Sequence, residues 1–62
     1  MAVYRVYVLD EAGRVAGPPH ILDCADDDEA ALRARQYLDG QVVEVWAGAR
    51  LVIALKPGSE PA

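Results

Sequence analysis

Residues 26–38 form the single stretch of this chain with a helical pattern, and the ordered segments on either side of it read as strands. A helix lies on one face of a sheet, and a sheet has two faces. The chain is therefore expected to fold as a two-layer α+β unit with one sheet face left without an intramolecular cover. With 62 residues there is room for one domain, and a chain of that size hides only ~60% of the surface its unfolded form exposes.

The strands are read from β-branched and aromatic content between turn residues. Residues 2–9 form the first strand, and Asp10-Glu11-Ala12-Gly13 turns the chain. Arg14 to Ala16 begins the return, Gly17-Pro18-Pro19 interrupts it, and His20 to Cys24 resumes it. Prolines cannot donate to a ladder, so this strand belongs at an edge. Gln41 to Ala47 and Arg50 to Lys56 form a closing hairpin. Gly48-Ala49 joins them, with Gly48 at the first central position of a type II′ turn. The element order is β-β-α-β-β and the expected sheet order is 2-1-3-4, which keeps all neighbours antiparallel. The domain is assigned to 1–56, and 57–62 are expected to be a mobile tail.

The helix carries its own start signal. Asp26 is placed to cap the first turn, Glu29 completes capping-box spacing, and Asp27 and Asp28 sit where the helix dipole favours negative charge. Asp39-Gly40 closes it. A 100° step puts Ala30, Ala31, Ala34, Tyr37 and Leu38 on one stripe, while Leu32 points to the opposite side, exposed or covered by another molecule.

Strand alternation then divides the sheet. Tyr4, Val6 and Val8, with Val43, Val45 and Ala47, and with Leu51, Ile53 and Leu55, are expected under the helix. The other face receives Val3, Arg5, Tyr7, Leu9, Val42, Glu44, Trp46, Arg50, Val52, Ala54 and Lys56. Exposed, it would be a larger apolar-aromatic patch than ordinary monomers leave bare. Arg5 and Glu44 are placed to pair across strands, which would let the face be buried without a lone charge. The candidate partner interface is therefore Val3, Arg5, Tyr7, Leu9, Val42, Glu44, Trp46, Arg50, Val52 and Ala54, with Leu32 as a second contact. A second copy is the simplest partner, since two-fold homodimers are the commonest soluble assembly.

Composition narrows the chemistry. The net charge is −4, and half of the acids are Asp23, Asp26, Asp27, Asp28 and Glu29. Such a chain is a poor match for a phosphate backbone. Consecutive helical acids diverge by 100° and do not converge on a cation, so capping and solubility account for the cluster, with docking to a basic partner as the other reading. One Cys and one His allow no internal disulfide and no redox pair. His20 and Cys24 face the same way on an extended segment but lie roughly 13 Å apart, too far for a nucleophile–base pair. No catalytic, metal or cofactor-binding residue is assigned. Gly17-Pro18-Pro19-His20 reads as an edge-strand break before it reads as a polyproline ligand. No segment suits a signal peptide or a membrane span, so a cytoplasmic location is expected, with the lone thiol reduced.

Several stretches carry a resemblance: Tyr4-Arg5-Val6-Tyr7 before a Leu-Asp turn, Gly-Pro-Pro-His-Ile at 17–21, Cys-Ala-Asp-Asp-Asp-Glu-Ala at 24–30, and residues 44–52. Together these resemble a family of short uncharacterised alphaproteobacterial proteins, a likeness that brings no activity or catalytic residue with it. In element order and acid-capped helix start the chain is also similar to HicB-type antitoxins. The expected function is a non-catalytic protein-interaction module, homodimerising through the open sheet face. The alternatives are an antitoxin-like neutraliser of a partner protein, and a small-ligand or single-stranded RNA binder on the aromatic face.

Overall fold

A computed structural model describes residues 1–58. β1 spans Ala2–Val8, β2 His20–Cys24, β3 Val43–Ala47 and β4 Arg50–Leu55, with helix α1 at Asp27–Ala34 between β2 and β3. The four strands make one sheet in the order β2-β1-β3-β4, with every neighbouring pair antiparallel. This is the expected α+β arrangement, with α1 on one face only. Of the tail expected over 57–62, Pro57 and Gly58 lie in a turn, and the rest falls outside the described residues.

The helix starts as its residues dictate. Asp26 is extended (φ −157°, ψ 178°) and its carboxylate accepts from the Glu29 amide at 2.9 Å. Glu29 reaches back to accept from the amide of Ala25 at 2.6 Å, so the reciprocal arm of the box lands one residue before the cap. The α-helix ends sooner than the pattern suggests. After Ala34 the chain tightens into a 3-10 turn over Arg35–Tyr37, a common way to end a helix. Gly40 then takes φ +79°, the left-handed stop expected of it.

Under α1 the core consists of Tyr4, Val6, Cys24, Ala30, Ala34, Leu38, Val43 and Val45. Ala30 and Ala34 present almost no side chain to the sheet, which lets the helix lie close to β2 and β3. Cys24 is a buried apolar residue here. Burial, then the nearby Glu29 carboxylate, pushes its thiol pKa upward and keeps it in the unreactive neutral form. His20 and Cys24 do share the helix-side face of β2, and His20 stacks on Tyr37 with ring centroids 4.0 Å apart.

The β1–β2 connection follows the proline break. Asp10 Oδ1 accepts from the amides of Ala12 and Arg14, closing the turn. Leu9 bridges Val15, and ladder pairing returns at Val6 opposite His20. Between those two pairs β1 advances three residues and the return chain five. Gly17-Pro18-Pro19 absorbs the excess, and Val15 stays at the edge of the open face.

One departure from alternation governs β4. Val45 pairs with Ile53, but the next residue, Trp46, pairs with Leu51, so Val52 is an extra residue in a β-bulge. Beyond the bulge the faces exchange. Leu51, expected under the helix, lies opposite Trp46 on the open face. Arg50, expected on the open face, lies opposite Ala47 on the helix face. Val52, also expected on the open face, is half-buried and packs against the core. Ile53 keeps the helix face but is 37% exposed.

Candidate interaction face

The ladder registers build the open face row by row. Residues paired across antiparallel strands point the same way, so Ile21, Arg5, Trp46 and Leu51 form one row crossing all four strands. Tyr7, Glu44 and Ala54 form the neighbouring row, and Val3 stands opposite Asp23 on the other side. Val3 is 57% exposed, Ile21 58% and Leu51 45%. Trp46, Tyr7 and Glu44 are half-buried. No helix crosses this face among the described residues.

Tyr7, Val15, Glu44, Trp46 and Gly48 enclose a shallow depression of about 330 Å³. The register explains the convergence: Tyr7 directly opposes Glu44, and Trp46 follows Glu44 by two residues on the same side of β3. Gly48 turns the hairpin with φ +61°, as a II′ turn requires at that position, and places no side chain at the rim. Within the depression the indole Nε1 of Trp46 donates to Glu44 Oε1 at 3.2 Å. The expected Arg5–Glu44 pair is absent among the described residues. Arg5 is exposed and opposes Trp46, while Glu44 engages the indole.

Leu9 and Val42 occupy the end of the sheet. The Leu9 amide donates to the Val42 carbonyl at 2.8 Å, and both line a second depression of about 150 Å³ with Asp10, Gln41 and Pro57. Leu32 is 65% exposed on the outer side of α1, remote from the open sheet face. Of the ten sheet residues expected at an interface, Val3, Arg5, Tyr7, Glu44, Trp46 and Ala54 therefore lie on one continuous face, Leu9 and Val42 sit at its end, and Arg50 and Val52 leave it.

The helix side contains a polar assembly that sequence patterning misses. Asp27 accepts from the Tyr4 hydroxyl at 2.7 Å and from both terminal nitrogens of Arg50, at 3.0 and 3.2 Å. The Arg50 guanidinium, then the Tyr4 hydroxyl, holds the Asp27 carboxyl below the usual carboxylate range. The same hydrogen bond, with burial and the nearby negative charge, pushes Tyr4 up to about 12. Asp27 thus ties the first helical turn to β1 and β4, beyond the dipole role its position suggests. The phenol and guanidinium reach it only through the sheet order and the bulge, so no local sequence signal marks the cluster.

No group of three or more His, Cys, Asp or Glu among the described residues is placed to hold a metal ion, and no described helix is long and apolar enough to cross a membrane. Comparison with protein-family models, with curated proteins and with solved structures finds no match.

Proposed function

We propose that this protein is a non-catalytic interaction module whose open sheet face binds a second copy of the chain. The observation that carries the reading is the row Ile21–Arg5–Trp46–Leu51 across the uncovered face, which is apolar or aromatic at three of its four positions. The fold measures 31 × 28 × 16 Å, so its broad side has room for the ~800 Å² per partner of a standard interface. Charge favours a like partner. Asp26, Asp27, Asp28 and Glu29 sit at the helix start in the other layer, whereas the open face mixes Arg5 with Asp23 and Glu44. Two such faces meet without the repulsion that the net charge of −4 would suggest. Tyr and Trp are also favoured where interfaces concentrate their binding energy.

The position of Arg50 argues against the RNA alternative. Its guanidinium is engaged by Asp27 on the helix face, which removes one of the few cations available to a phosphate backbone.

Light scattering coupled to gel filtration tests the proposal between micromolar and millimolar concentration. The wild type is expected at twice the monomer mass of 6.7 kDa, and Trp46→Glu as a monomer. A well-folded wild-type monomer over the whole range would refute self-association.

A further inference from the structure

We propose that, in the dimer, Arg5 of each copy enters the depression between Tyr7, Glu44 and Trp46 of the other. This rests on the self-association proposed above and specifies its polar contact. In the two central rows of the open face, the exposed guanidinium of Arg5 and the half-buried carboxylate of Glu44 have no opposite charge at ion-pairing distance among the described residues; the exposed Asp23, on the edge strand β2, has none either and keeps its place at the rim. Burying the face against an apolar surface would strand both, and an isolated buried charge is strongly destabilising. A second copy supplies the missing partner for each. A two-fold interface is self-complementary, so one Arg5-to-Glu44 contact generates its mirror.

The depression suits a guanidinium. Two aromatic residues line it, and a cation over an aromatic face is attracted by the ring quadrupole, with Trp the best platform. Glu44 has one oxygen held by the Trp46 indole at 3.2 Å, which fixes the carboxylate and leaves acceptor capacity on the other oxygen. Its volume of about 330 Å³ accommodates a planar side-chain end without displacing Tyr7 or Trp46. Arg5 is two residues from Tyr7 on the same side of β1, so a two-fold axis passing between them brings each guanidinium over the opposite depression.

Charge reversal provides a test that separates contacts between copies from contacts within one. Arg5→Glu and Glu44→Arg are each expected to weaken the wild-type dimer by about 30-fold or more in Kd. Mixed in equal amounts, they should form a heterodimer, because one chain then carries two acids and the other two bases at the paired positions. Sedimentation velocity reads both results, and circular dichroism establishes that each variant is folded. If a reversal prevents folding, Arg5→Gln and Glu44→Gln replace it, with the same loss expected for each. A dimeric wild type whose neutral or reversed variants dimerise equally tightly, or folded reversed variants that fail to combine, would overturn the Arg5 contact and leave self-association standing. A monomeric wild type would overturn self-association itself.

Discussion

Arg50 grips Asp27 through both terminal nitrogens, at 3.0 and 3.2 Å, and so fastens the last strand to the first turn of the helix. The pair is open to solvent, with side-chain exposures of 60% and 44%, and its electrostatic contribution is correspondingly screened. The Asp27 carboxyl titrates below its ordinary value. A depressed folded-state pKa contributes stability that is complete above the unfolded value, ~3.9, and disappears as pH falls through the folded one. Asp27→Asn should therefore melt below the wild type at pH 7, and the gap should close as pH drops below about 4. Molar salt should narrow the gap at neutral pH. Thermal melts from pH 7 to 3 read all three effects, and a gap independent of pH would show that the charge of Asp27 is not what stabilises.

Tyr4 gives the opposite signature at alkaline pH. Its hydroxyl donates to Asp27 at 2.7 Å, and ionising it would set a phenolate against that carboxylate. A raised folded-state pKa contributes stability that is complete below the unfolded value, ~10, and is lost as pH rises through the folded value of about 12. One tyrosine should thus ionise late in an absorbance titration, with unfolding over the same interval. Tyr4→Phe should abolish the late step, and its persistence would assign it to another residue.

The bulge at Val52 makes an unusual deletion tolerable. Ile53, Leu51 and Arg50 already pair in succession with Val45, Trp46 and Ala47. Removing Val52 leaves a regular strand in that same register, with Arg50 still facing Asp27. The cost is the packing of one half-buried valine, about 1 kcal/mol. Deletion of Val52 should give a folded protein in which Asp27→Asn still destabilises. Loss of that second effect would mean that the deletion had shifted the register instead.

This bulge also marks where the sequence stops being informative. The strands, the capped helix and the sheet order were legible because period-2 alternation, an Asp-x-x-Glu start and antiparallel neighbours each leave a local pattern. Tyr7, Glu44 and Trp46 could be assigned to one face for the same reason. Alternation assumes an uninterrupted strand, and RLVIAL at 50–55 has no Gly or Pro to announce an extra residue. Alternation consequently puts Arg50, Leu51 and Val52 on the wrong faces. Ile21 was within reach, since its alternation with Leu22 and Cys24 puts it beside Arg5 once the register is known.

Val45 sits at the centre of the sheet, fully buried between Val6 on β1 and Ile53 on β4. Truncating it to Ala removes buried methyl groups at a site held from both sides, and about 2 kcal/mol is a fair expectation. Domains have roughly 0.05–0.15 kcal/mol of stability per residue, which for this chain is ~3–9 kcal/mol. The substitution therefore takes a large share, and Val45→Ala should melt well below the wild type at low protein concentration. Because the residue lies beneath the open face and not on it, association should still rescue the fold, and the melting temperature of the variant should rise with concentration. Melts over a hundredfold concentration series decide the point: a variant whose melting temperature is constant across the series would uncouple folding from association and remove dimerisation as a source of stability in this small domain.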